Sequence, residues 1–219
     1  MGLIHKTKFV PFIDVSTTSS PIWKQIKKST TFSMALNPQT KTFDFISSEN
    51  PEEEIDSYQP ALSQSLTMFD DEDDFKTIFD MVYHLPTGGD AHRDVLLAFY
   101  ASKCDVNTYA TTNDTTVTEG KTYYTRSGSA GAYVYTPVAE PNENPKTAGY
   151  YEVTATTTYY KAWKVDSVVK LGTLDSVNQS IDFDLALNNR DEGAVTVADG
   201  VPTWVAGTWD GDVFTPASS

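Results

Sequence analysis

Few side chains in this sequence have a type and spacing that could do chemistry. His5, His84 and His92 are its only histidines, and Cys104 is its only cysteine. His84, His92 and Cys104 are possible metal ligands, but their spacing matches no usual tetrahedral site. His84 falls at the end of an expected helix, where the dipole favours a cation. The run Asp70, Asp71, Glu72, Asp73, Asp74 supplies enough carboxylates for calcium. It lacks the alternating ligands and central glycine of a calcium loop, so helix capping is the better reading. Asp182 and Asp184 lie two apart, on one face of a strand, as a carboxylate pair would. No histidine or other base stands beside them in sequence. A G-x-S-x-G elbow, a Walker loop and a Rossmann glycine pattern are all missing. The sequence points away from an enzyme, and toward no cofactor and no metal.

These side chains need elements to hold them. Residues 70–85 predict one helix. Phe75, Ile78, Phe79 and Val82 fall at i, i+3, i+4 and i+7, and so share one face. The acids precede it, and Pro86, Gly88 and Gly89 stop it. A lone helix of this length must lay its stripe on a sheet. The rest reads as strand or turn. Phe32, Met34 and Leu36 alternate with polar or small residues, Asn37 to Thr40 turns, and Phe43 and Phe45 alternate again, which predicts a hairpin. Residues 47–60 form a long acidic connection. A strand over 61–69 leads to the helix. Residues 95–100 are apolar on both faces, as in a strand covered on both sides. Strands follow from Tyr159 to Leu171 and over Ser180–Leu187, with a bend or bulge at Gly172. Asn188–Gly193 is expected to turn and Ala194–Ala198 to return.

Residues 1–29 carry apolar residues without period and read as an extended arm. It lies on a partner if it does not fold back on its own core. The tail from Asp199, with Trp204, Trp209 and Phe214, reads as a second arm. Residues 106–158, rich in Thr, Tyr, Gly and Pro, read as an inserted β-module. The expected organisation is a core of 1–105 and 159–198, an insert of 106–158 and a C-terminal arm of 199–219.

Thr, Tyr, Phe and Val are plentiful in the 219 residues, which favours sheet. The net charge of −14 makes the chain a poor ligand for nucleic acid or anionic membrane. One cysteine excludes a disulfide-rich domain. The first residues lack the apolar core of a signal peptide, and no apolar run spans a membrane. The expectation is a soluble protein assembled in the cytoplasm. Charge is uneven. Residues 1–30 hold Lys6, Lys8, Lys24, Lys27 and Lys28 against Asp14, whereas residues 41–80 hold two lysines against twelve acids. These are either two solvated segments or complementary surfaces of neighbouring subunits.

In order and wording the chain resembles the major tail tube proteins of long-tailed bacteriophages. The resemblance rests on Trp23-Lys24-Gln25-Ile26, on residues 37–46 (Asn37-Pro38-Gln39-Thr40 through Ile46), on Glu54-Ile55-Asp56-Ser57-Tyr58-Gln59-Pro60, and on Asp182-Phe183-Asp184. The insert, with Asp114-Thr115-Thr116-Val117 and Gly120-Lys121-Thr122-Tyr123-Tyr124, resembles a small decoration of tail proteins from phages of Gram-positive hosts. The resemblance implies a sandwich- or barrel-type β-fold with one helix on the sheet. It implies hexameric rings whose sheets join edge to edge and stack head to tail into a tube for genome delivery. Glu49, Glu52, Glu53, Glu54, Asp56 and Tyr58 would lie in the loop that reaches the next ring. Lys6, Lys8, Phe9, Phe12, Trp23, Lys27 and Lys28 would make the contacts of the N-terminal arm. Asp182 and Asp184 are candidate channel-facing acids, since an acidic lining lets DNA slide without specific binding. Tail terminator, tape measure and distal tail proteins would be further partners, and the location would be the phage tail. The competing reading is a carbohydrate-binding or adhesive module built on the Tyr/Thr-rich insert.

Overall fold

The computed structural model describes residues 8–16, 20–44, 50–129 and 133–217. The fold is mainly β, with a large antiparallel sheet and one α-helix. The chain divides into two units: residues 1–103 with 160–219, and residues 104–159.

In the first unit the strand order is β13-β12-β11-β10-β7-β1-β2. These strands are β1 (Phe9–Asp14), β2 (Trp23–Gln25), β7 (His92–Thr111), β10 (Tyr151–Asp175), β11 (Ser180–Ala198), β12 (Val201–Asp210) and β13 (Val213–Pro216). β7 and β10 contribute to both units. β6 (Ala61–Thr67) pairs with the first half of β11, and β3 (Ser29–Ala35) pairs with β6. The second half of β11 pairs with β12. β11 therefore runs unbroken through 188–193, where a turn was expected. The irregularity is a register shift opposite Val165 and Asp166, with Asn189 at a positive φ of 30°. A second shift lies between Leu171 and Leu174, as the glycine there suggested. A side chain at Gly172 would meet the Asp182 carbonyl at 2.9 Å.

α1 spans Asp73–His84. Phe75, Ile78 and Met81 are its buried apolar residues, and they enter a core with Leu62, Leu66, Val95, Leu97, Val165, Ile181, Phe183 and Leu185. Burying such side chains contributes roughly 1.5–3 kcal/mol each. A second cluster joins Val10, Phe12, Trp23, Leu96, Ala98, Ala162 and Val195. Consecutive residues of β7 thus feed two cores, which is why 95–98 is apolar throughout. Leu85 ends α1 in the left-handed conformation, φ 49°, and its N–H donates to the Met81 carbonyl. The stop precedes Pro86 and uses no glycine; the residue before a proline is disfavoured in the right-handed helical conformation.

One alternative left open is decided, and two expectations are corrected. The N-terminal arm folds back: β1 pairs with β7, and Phe12 and Trp23 are buried. Its missing period reflects burial in a core from several directions. The C-terminal arm is two strands of the sheet, with Phe214 buried and Trp209 Nε1 donating to the Gly193 carbonyl at 2.7 Å. The first hairpin does not form from residues 31–46. β3 pairs with β6 instead, and β4 (Pro38–Phe43) pairs with β5 (Glu52–Tyr58) as a separate two-stranded sheet.

In the second unit β8 (Tyr124–Ser127) pairs with β9 (Val134–Pro137) and with the start of β10. The expected insert, 106–158, falls within this unit.

Candidate functional site

The acidic connection is half strand. Every residue of β4 and β5 is exposed, including Glu52, Glu53, Glu54 and Asp56. Ile55 is 56% exposed and Tyr58 52%. Glu54 lies opposite Lys41 and Glu52 opposite Phe43, while Lys41 bridges to Asp56. The ribbon is tied at its base. Gln59 N–H donates to the Asn37 carbonyl at 3.2 Å, and Asn37 Nδ2 donates to the Gln59 carbonyl at 3.1 Å. Glu49, Phe45 and Ile46 lie outside the described residues. An isolated two-stranded ribbon with exposed apolar side chains is marginal in water and gains from a partner surface.

The basic N-terminal residues meet acids within the chain. Lys24 Nζ is 2.8 Å from Asp73, and Lys27 Nζ is 3.8 Å from Glu72. The Lys27 backbone N–H donates to Asp74 Oδ2 at 3.1 Å. The acids heading α1 are thus clips onto the β2 segment, beyond their favourable place at the helix dipole. Burial pushes the Asp74 carboxyl above its ordinary value, while Lys24 pulls Asp73 below it. Lys28 rests over the Phe69 ring, and Phe9 packs edge-on against Phe99. Lys8 is exposed, and Lys6 and His5 lie outside the described residues.

Asp182 and Asp184 are exposed on β11, on the face away from Ile181, Phe183 and Leu185. In register beside them stand Ser65 and Ser63 of β6, and beyond these Thr31 and Ser33 of β3. Lys170 of β10 lies opposite Asp184. One face of this part of the sheet is packed toward α1. The other is small, polar and open. β3 pairs only with β6 among the described residues, so its outer edge is free.

The helix face differs in detail from its sequence pattern. Phe75 and Ile78 are buried and Val82 is half-buried against the core, but Phe79 is 44% exposed, with its ring 5.5 Å from that of Phe75. Met81 takes its place. The sheet's contact line runs through 74, 75, 78 and 81, a stripe set by where the strands lie. Sequence reasoning also missed Gln64. It sits on β6 between Leu62 and Leu66, buried, with neither side-chain atom hydrogen-bonded.

The second unit is organised by a polar knot. Lys121 bridges to Asp114 at 2.7 Å and also to Glu152. The fully buried Tyr123 donates its hydroxyl to Asp114 Oδ2 at 2.7 Å. Lys121 and Tyr123 hold the Asp114 carboxyl below its ordinary value, and the two carboxylates raise the Lys121 ammonium. A separate face carries tyrosines. The rings of Tyr109 and Tyr135 stack at 3.9 Å, and Tyr124 and Tyr151 meet that pair edge-on.

The remaining chemical candidates do not converge. His84 Nδ1 lies 3.0 Å from the Asp80 carbonyl, and His92 Nδ1 lies 2.8 Å from Asp166. Among the described residues no three His, Cys, Asp or Glu side chains are grouped to hold a metal. No helix there is long and apolar enough to cross a membrane. Compared with known proteins, the chain matches no family model and no curated protein.

Proposed function

We propose that this chain is a structural virion protein: the major tail tube subunit of a long-tailed bacteriophage, acting through assembly rather than catalysis. Hexameric rings stack head to tail into a channel for genome DNA. The observation that carries this reading is the sheet formed by β3, β6, β11 and β10. One of its faces is packed toward α1, while the other is open and lined by Ser, Thr, Asp182 and Asp184, with Lys170 beside Asp184. Antiparallel sheets often leave one polar face to water; in a closed ring that face would become the wall of the channel. DNA carries one charge per about 1.7 Å of its axis, so a lining of acids repels it and a basic one would hold it.

Two further features support the reading. The free edge of β3 is a template for pairing with a neighbouring copy, and a closed ring removes such edges. The exposed β4–β5 ribbon offers acids with Phe43, Ile55 and Tyr58 to an adjacent ring. A head-to-tail contact that does not close gives a filament. Tail terminator, tape measure and distal tail proteins are the partners such a tube requires, and the phage tail is its location.

The test is sedimentation and negative-stain imaging of the purified chain. Rings or tubes are expected. A stable monomer at every concentration and salt condition would refute the assignment.

A further inference from the structure

The geometry points to a ligand site on the second unit: the tyrosine–arginine face binds an acidic polysaccharide, a sugar polymer bearing carboxylate or phosphate. The sequence has three arginines. Arg93 donates to the Asp90 and His92 carbonyls, and Arg190 pairs with Glu192. Arg126 differs. Its guanidinium lies 4.2 Å from the Tyr133 ring centroid and 4.7 Å from that of Tyr151. Among the described residues no carboxylate or carbonyl accepts its N–H groups.

The guanidinium lies over the faces of the two rings, as cation–π contacts do. Its N–H donors have no acceptor among the described residues, and a guanidinium suits a carboxylate or phosphate bidentately. In a chain of net charge −14, a cation with no acidic partner among the described residues is a place where an anion can be met. Around it stand rings suited to the apolar faces of sugars, with hydroxyls for their polar edges. Tyr124 and Arg126 alternate on β8, Tyr135 lies opposite Arg126, and Tyr151 lies opposite Tyr124, so these four side chains share one face of a sheet. A row of side chains along one sheet face fits a polymer better than a small molecule, which favours an enclosing cleft. The site stands independently of the tube assignment.

The test is titration calorimetry of the full chain against polygalacturonate, poly(glycerol phosphate) and neutral dextran. At least one polyanion is expected to bind and dextran to give no heat. Whichever polyanion binds names the source of the charge. Arg126→Gln should weaken binding at least about tenfold, the size of a lost charged hydrogen bond. Lys146→Gln, which removes an exposed cation of the same unit, should leave binding within about twofold. Both variants should melt as the parent does, since neither side chain is buried. The proposal fails if neither polyanion binds. It fails equally if the two variants weaken binding alike, or if polyglutamate binds as tightly as the sugars.

Discussion

Removing the β4–β5 ribbon should separate folding from assembly. Residues 38–58 are replaced by two glycines joining Asn37 to Gln59, whose mutual hydrogen bonds already close the base. Both strands are exposed along their whole length, so almost no apolar surface is lost from the core. A lone two-stranded ribbon adds little stability of its own. Shortening the connection lowers its closure cost by no more than about 2 kcal/mol. The unfolding free energy of the monomer should therefore change by less than about 2 kcal/mol in urea titration. Stacking should vanish, because the ribbon's exposed acids and its Ile55 and Tyr58 side chains are gone. Sedimentation velocity and negative stain read the second outcome. Tubes of normal length from the shortened chain would refute the ribbon's role. A loss above about 4 kcal/mol would show that it belongs to the core after all.

Other substitutions probe the packing. Gln64→Met removes an amide that is buried without partners, so urea titration should show a gain of about 1–3 kcal/mol. Gly193→Ala places a methyl 2.6 Å from the Trp204 ring and 2.8 Å from the Val205 carbonyl, and should cost about 1–3 kcal/mol in the same assay. Acid should loosen the second unit. Asp114 titrates below its ordinary 3.8 when folded, so its contribution is present above that pH and is lost as pH falls through the depressed value. Asp114→Asn should flatten the fall in thermal stability as pH drops below 3.8, followed by circular dichroism.

Much of the architecture was legible because short periods survive burial on one side. Ile181, Phe183, Leu185 and Leu187 alternate with polar residues, and they pair and pack as that alternation implies. α1 was visible in its 3.6-residue stripe, although Phe79 and Met81 exchange roles once the sheet fixes the contact line. The C-terminal tail was misread as an arm, and for the N-terminal stretch only the structure decides between folding back and reaching a partner. Phe12, Trp23 and Phe214 are buried singly, from different directions, which leaves no period to detect. Pairing was the least legible feature. Phe32, Met34 and Leu36 suit a hairpin with 43–46 as well as they suit a ladder with β6, and only the whole sheet decides between them. Of the candidate site, the acids at 182 and 184 were readable from alternation, whereas Arg126 between Tyr133 and Tyr151 depends on β8–β9 pairing that no local signal gives.

In the proposed tube, the face bearing Asp182 and Asp184 lines a shared channel. An electron cryomicroscopy reconstruction of the purified assembly tests it most directly. Stacked hexameric rings are expected, with Ser63, Ser65, Asp182 and Asp184 facing the central lumen and α1 outside the wall. Rings with those two acids on the outer surface, or a particle with no channel, would contradict it.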